Sequence, residues 1–470
     1  MAEREFFDRK SELKFLQEKY AELSPSNMLV LFGRRRVGKT ELAMQFLKNI
    51  KNHFYFYVEV AQKSEILNYL SKSVEEQLGE KLAFKDFYEF LSYIGGKADK
   101  EPFVLVIDEF QRFLDIAPEY ISSLQNAWDS KLKHKKILIL LLGSSIGMIQ
   151  KIMGSKAGAL YGRAQKIKIS PFKYPDFRLM FKEMPEEDKI ITYSVFGGTP
   201  DYIDKFKKSK GDIYERIFEL VLKKGAVLFE EPKNLLEYEN VRIHAKYNAI
   251  LRAISSGKET MKDIEDFTNI SSQTMPAYLK RLDELLDLVG RKDPVLGKER
   301  LGRYQTKDNF FKFWYKFILP NQTPINLGNT KLVSDLIKQD LNAYIGRVFE
   351  DIAKELLILY NTKEIKGLKL NFENIGSWWD RNSNEIDIIA YNLKEKNFLL
   401  GEVKWANKQL DLDVVEELER KSKYLNYGGT YKFLFVSKNG FTERALKKMQ
   451  DIGAVHLDLK EIEELFSKAG

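Results

Sequence analysis

An apolar run, Met28-Leu-Val-Leu-Phe32, leads directly into Gly33-Arg34-Arg35-Arg36-Val37-Gly38-Lys39-Thr40, which meets the pattern G-x-x-x-x-G-K-[ST] at every fixed position. Such a stretch dictates a strand, a glycine-rich loop and a helix. The glycines let backbone N–H groups curl around an anion, and the positive N-terminal end of the helix attracts the same charge. The expected phosphate cradle is therefore Gly33, Arg34, Arg35, Arg36, Val37, Gly38, Lys39 and Thr40, with Glu41 following. Lys39 is placed to reach the β- and γ-phosphates of ATP, and Thr40 to ligate Mg²⁺.

Four further short β-like runs follow at helix-sized intervals: 54–58, 103–107, 136–142 and 166–169. Alternation of this kind predicts an α/β domain with a parallel sheet, and near-continuous apolar runs fit strands covered on both faces. Ligands in such sheets bind beyond the carboxyl ends of the strands. Asp108-Glu109 stands at one such end, Asp108 as a second Mg²⁺ ligand and Glu109 as the residue that polarises the attacking water. After the 136–142 run come Gly143-Ser144-Ser145, where Ser144 is the candidate γ-phosphate sensor and Ser145 its alternate. Arg163 is either an arginine finger or a surface arginine, and acting in trans it would require a homo-oligomer.

The 470 residues contain no cysteine and only four scattered histidines, which excludes disulfides, thiolate zinc sites and a histidine metal cluster. Any catalytic metal must rest on carboxylates and phosphates, favouring Mg²⁺ or Mn²⁺. A net charge of +8 is compatible with a polyanionic partner, although 76 basic residues accompany 68 acidic ones. No apolar run is long enough to span a bilayer, and Met1–Glu5 opens with charge rather than a signal peptide, so a cytoplasmic protein with no membrane partner is expected.

Together, the arginine-rich loop, Asp108-Glu109, Gly143-Ser-Ser145, Gly162-Arg163, Ser170-Pro-Phe172 and Gly197-Gly-Thr-Pro-Asp-Tyr202 resemble the archaeal ATPase family, related to AAA+ and STAND ATPases. The resemblance covers about residues 1–235. It implies that the Gly-Gly-Thr-Pro element lies in a small helical lid, with Pro200 as a nucleotide-sensing residue.

From Tyr247 to Thr306 the pattern reads three helices and a basic hairpin, the spacing of a winged helix. Segment 291–307 sets Arg291, Lys292, Lys298, Arg300, Arg303 and Lys307 against Asp293 and Glu299. Either those cations face duplex phosphates or the module packs against the ATPase core or a partner. The aromatic run Phe310–Tyr315 reads as core, and 321–328 as a linker.

In the C-terminal part, Glu385-Ile-Asp-Ile-Ile-Ala390 and Phe398-Leu-Leu-Gly-Glu-Val-Lys-Trp405 flank a polar turn and predict a β-hairpin. A turn centred on Lys394-Glu395 pairs position 387 with 402. Asp387 and Glu402 then oppose each other with Lys404 on the same face, and two opposed carboxylates call for a cation between them. The arrangement resembles the PD-(D/E)xK nuclease superfamily and a domain of unknown function found on many archaeal ATPases, with Ile386 in place of the superfamily's proline. The resemblance implies a metal at Asp387 and Glu402, a catalytic Lys404, and a further glutamate on an earlier helix, for which Glu350 has the spacing. Trp378 and Trp379, on an expected edge strand, either pack or meet DNA.

The expected architecture is thus a P-loop ATPase domain over 1–175, a helical lid over 176–240, a winged helix over 241–320 and a restriction-endonuclease-like α/β domain over 321–470. The expected activity is ATP-dependent processing of duplex or branched DNA. A binding or signalling switch with an inactive nuclease fold is the alternative.

Overall fold

The computed structural model describes residues 6–7, 9–23, 26–59, 62–154, 158–238, 244–297, 299–425 and 427–469. Met1–Glu5 and Lys298 lie outside the described residues. The chain divides into two compact units, one of 1–171 with 280–287, the other of 172–279 with 288–470.

The first unit is built on five parallel strands: β1 Asn27–Phe32, β2 His53–Tyr57, β3 Phe103–Asp108, β4 Ile137–Gly143 and β5 Gln165–Lys168. Their order across the sheet is β2-β3-β4-β1-β5. The uninterrupted apolar runs are explained by helices on both faces, since successive residues serve opposite cores. Met28 and Val30 join the cluster around Phe54, Leu105 and Ile139. Leu29 and Leu31 join the one around Leu42, Val104 and Leu140. Because β4 lies between β1 and β3, the loop after β1 and the acidic pair after β3 emerge on the same sheet edge, one strand apart.

In the second unit, helix Glu186–Phe196 stops at Gly197, whose φ of 67° favours glycine, and Pro200 opens helix Pro200–Lys208. A side chain on Gly198 would collide with the Phe172 carbonyl. Segment 244–306, of which 280–287 belong to the first unit, contains helices His244–Ser255, Met261–Thr268 and Met275–Lys280, then the antiparallel strands β6 Val289–Lys292 and β7 Arg303–Thr306. Phe310, Phe311, Phe313, Trp314 and Tyr315 are all buried, as their lack of polar alternation requires. The expected linker is instead partly helical: Gln322–Asn326 forms a short helix with Ile325 buried, because one apolar side chain between polar neighbours is enough to anchor a turn.

Beyond it runs the 30-residue helix Thr330–Leu359. A small hairpin, β8 Glu364–Ile365 with β9 Leu368–Lys369, precedes a mixed sheet of β10 Asn374–Trp379, β11 Glu385–Asn392, β12 Asn397–Lys404, β13 Thr430–Ser437 and β14 Val455–Asp458, paired in that order. β10 to β12 pair antiparallel, β12 to β14 parallel. β11 and β12 pair Asn392 with Asn397 and Ile388 with Gly401. The paired positions end there, one step short of Asp387 and Glu402. No helix among the described residues is long and apolar enough to cross a membrane.

Candidate functional site

Two polar constellations stand out, one in each unit. In the first, Gly33 passes so close to the Ile169 carbonyl that a Cβ could not be accommodated, and Gly38 has a φ of 88°. Both glycines of the motif are therefore required by the backbone. Lys39, at the start of helix Lys39–Leu47, is buried, and its Nζ donates to the Gly33 and Arg34 carbonyls, 2.9 Å each. The ammonium thus lies across the loop that the phosphates would enter.

Thr40 Oγ1 donates to Asp108 Oδ2 at 2.7 Å. A hydroxyl and a carboxylate converging from two motifs suit Mg²⁺, which takes one or two protein ligands and completes its shell with phosphate and water oxygens. Glu109 adopts a φ of 56°, a conformation that costs a non-glycine residue about 1 kcal/mol and that turns its side chain toward β4. Its Oε2 accepts from Ser144 Oγ at 2.7 Å and from Gln111 Nε2 at 2.5 Å. Ser145 does a different job, capping helix Ile146–Met153 through the Met148 N–H. Arg163 forms a bidentate pair with Asp129, Nε to Oδ1 at 2.9 Å and Nη2 to Oδ2 at 2.7 Å. Pro200 belongs to the second unit.

Sequence reasoning missed Tyr55 and Gln111. Tyr55 OH donates to Asp108 Oδ2 at 2.8 Å, and burial followed by the charge of Asp108 raises its pKa above the usual tyrosine value. Gln111 is buried and also reaches Ser144 Oγ at 3.3 Å. A polar residue two positions after the acidic pair was the available signal for Gln111; for Tyr55 there was none.

In the second unit, Asp387 and Glu402 are both buried. Asp387 Oδ2 accepts from the Val403 N–H at 2.9 Å. Lys404 Nζ donates to Glu402 Oε1 at 2.6 Å and lies 3.9 Å from Asp387 Oδ2. Burial raises the pKa of both carboxyls, each is opposed by Lys404, and Asp387 adds to the rise at Glu402. Burial lowers that of Lys404, but the two carboxylates outweigh it and leave the ammonium more firmly protonated. Glu350 stands on the long helix with its carboxyl pushed up to about 8, first by burial and then by Asp387.

Glu402 Oε2 is buried without a hydrogen-bond partner. Lys421 Nζ lies 3.8 Å from it on helix Leu412–Ser422, a residue the sequence pattern did not single out. An orphaned carboxylate oxygen beside a second buried carboxylate suits a divalent cation. The set is sparse, however: among the described residues no group of three or more His, Asp or Glu side chains is arranged to hold a metal ion.

Both regions of the chain are similar to known proteins. Residues 6–206 match the model of an ATPase domain predominantly from Archaea, and residues 314–421 match archaeal and bacterial proteins of unknown function. An uncharacterised protein of Methanocaldococcus jannaschii is 34% identical over 425 residues, 89% of this chain and 92% of that protein. A second protein of that organism, described as ATP-binding, is 23% identical over 56% of this chain and 87% of its own length. The Walker-type ATPase PABY2304 of Pyrococcus abyssi superposes with a TM-score of 0.52 at 21% identity, covering 66% of this chain and 96% of that structure. With the P-loop cradle, the acidic pair after β3 and near full-length similarity to an archaeal relative, the chain belongs to the archaeal ATPases that carry this ATP-binding domain ahead of a C-terminal domain of unknown function.

Proposed function

We propose that the chain is an ATP-controlled DNA-processing protein whose C-terminal sheet is a metal-dependent endonuclease, with the three helices and the β6–β7 hairpin as its winged helix. The observation that carries the reading is the orphaned Glu402 Oε2 beside the buried Asp387 and the half-buried Lys404. Burying two opposed carboxylates costs several kcal/mol unless a cation compensates. In this reading a bound divalent cation would polarise the phosphodiester and acidify a water. Asp387 and Glu402 hold that cation, and Lys404 stabilises the charge that develops on the phosphoryl oxygens. Glu350, held largely protonated by its surroundings, is available as a proton donor or acceptor near neutral pH. At the other site, Lys39 and the loop amides bind the nucleotide phosphates, Thr40 and Asp108 serve Mg²⁺, and Glu109 orients the attacking water. The Gly197–Pro200 element relays nucleotide state.

The test is incubation with supercoiled plasmid and branched DNA, with Mg²⁺ or Mn²⁺, with and without ATP. Cleavage by the wild type that disappears in Asp387→Ala supports the assignment; absence of cleavage, or equal cleavage by the variant, ends it.

One observation favours a second reading, a nucleotide-operated binding switch with an inactive nuclease fold. The Lys404 ammonium already bridges the two carboxylates, and no third acid joins them in a metal-holding group among the described residues. ATP turnover that is very slow, tightly retained nucleotide and inert Asp387, Glu402 and Lys404 substitutions would select it.

A further inference from the structure

The basic hairpin makes close contact with the C-terminal sheet. Lys292 Nζ pairs with Asp351 at 3.0 Å, and Arg303 Nη1 with Glu385 at 3.0 Å. The Arg303 guanidinium also stacks 4.5 Å from the Trp379 ring, whose Nε1 donates to the Leu301 carbonyl at 2.7 Å. The segment joining β6 to β7 meets the edge strand β10, the Val295 N–H donating to the Ser377 carbonyl at 2.9 Å. Val295 and Leu296 pack on the core formed by Trp378, Ile386 and Ile389. This explains why Gly376 is glycine, since a Cβ there would lie 2.5 Å from Val295 Cγ1.

Between the hairpin and the long helix is a cleft bordered by Lys292, Arg303, Lys354, Asp351 and Glu385, with Glu350 among its lining residues. It offers about 60 Å³. Ligand pockets begin at roughly 300 Å³, so this space suits water rather than a nucleotide. Lys292 and Arg303 along it are paired with the protein's own carboxylates, and a chain of phosphates would exchange for those carboxylates with the same charge and similar geometry.

We propose that the hairpin is a closed gate over a phosphodiester-binding cleft leading to Glu350, and that a DNA backbone opens it by drawing Lys292 and Arg303 away from Asp351 and Glu385. The inference rests on the nuclease reading for the purpose of the cleft, but not for its test. It adds that a phosphodiester reaches Glu350 along this cleft only after the hairpin lifts from β10.

The chain lacks cysteine, so an introduced pair reports cleanly. Val295 Cβ lies 3.7 Å from the position of a Cβ on Gly376, inside the range of disulfides, which centres on about 3.8 Å. The double variant Val295→Cys/Gly376→Cys should therefore close under oxidation. Its DNA affinity, read by fluorescence anisotropy in EDTA so that no cleavage is needed, should fall about tenfold or more when oxidised and recover with reductant, while the wild type ignores both treatments. A second variant, Asp351→Asn/Glu385→Gln, removes the competing carboxylates and keeps the cations. It should bind DNA several-fold more tightly, and the slope of log affinity against log salt should steepen by about 0.9 for each additional phosphate neutralised.

Equal DNA affinity in the oxidised and reduced forms, or unchanged affinity in the carboxylate variant, overturns the gate. Equal competition by polyglutamate overturns the assignment to phosphate. If the disulfide controls binding but no form cuts DNA, the gate stands and the nuclease reading fails. If DNA is cut equally in both redox forms, the nuclease reading stands and the gate fails.

Discussion

Thr40 and Asp108, 68 positions apart, share a 2.7 Å hydrogen bond across the ends of neighbouring structural motifs, and Tyr55 donates to the same carboxylate oxygen. The Asp108 oxygen is thus positioned before any cation arrives. Asp108→Asn should leave Mg²⁺-free nucleotide binding nearly intact and reduce the gain on adding Mg²⁺ by roughly tenfold or more, the scale of metal-site substitutions. Nucleotide titrations with Mg²⁺ and with EDTA measure the two separately; equal loss in both would contradict the assignment.

The two serines after β4 separate by function. Ser144→Ala removes one donor to Glu109, and Gln111→Ala removes another; each should lower ATP hydrolysis about tenfold or more while leaving nucleotide affinity within a few-fold. Ser145→Ala removes a helix cap, so it should cost about 1 kcal/mol of stability and leave turnover largely unchanged. Steady-state hydrolysis and thermal melts on the three variants decide this.

At the carboxylate site the lysines and a divalent cation compete for the same oxygens. Lys404→Met should raise Mn²⁺ affinity several-fold while abolishing any cleavage, and Lys421→Met should raise it less, its Nζ being 3.8 Å from Glu402 against 2.6 Å for Lys404. Asp387→Asn should lower it. Mn²⁺ titration followed by electron paramagnetic resonance gives the order, and a fall in affinity for Lys404→Met would contradict the site.

Glu355 accepts from the Tyr174 N–H at 3.0 Å, and burial raises its carboxyl to about 7 from an ordinary 4.5. The folded state therefore holds a proton that the unfolded chain releases. Stability from this group is complete below about pH 4.5 and is lost as pH rises to about 7, with a slope near 1.4 kcal/mol per pH unit. Glu355→Gln should flatten the fall in melting temperature between those values; an unchanged profile would rule the group out.

Much of this was legible in the sequence where chemistry depends on neighbours along the chain. The P-loop, the acidic pair after β3 and the hairpin register all rest on local patterns, and a fixed sum of paired positions was enough to give the pairs from Asn392–Asn397 to Ile388–Gly401. The partners that arrive from elsewhere were not legible. Tyr55 reads as one aromatic in an apolar strand, Lys421 as one cation in a charged helix, and the hairpin's basic residues as facing either duplex phosphates or the ATPase core or a partner. Their contacts with Asp108, Glu402, Asp351 and Glu385 depend on tertiary placement, which periodicity does not encode. The supposed linker failed for a similar reason, since the burial of Ile325 is decided by what packs on it.

The helix Thr330–Leu359 carries a further consequence. At 30 residues it is about 45 Å long, and it touches three separate parts of its unit. Tyr344 OH donates to the Ser194 and Asn309 carbonyls, Asp351 holds Lys292, and Glu355 receives the Tyr174 N–H. An α-helix transmits rotation along its axis with little compliance, so these attachments behave like cams on one shaft. Turning the shaft at Tyr344 by one residue's worth, about 100°, would be incompatible with every other attachment, whereas a few degrees would shift Glu350 and the Lys292 anchor together. Substitutions at Tyr344 should therefore be felt in the chemistry of Glu350, six residues away and on another side of the rod.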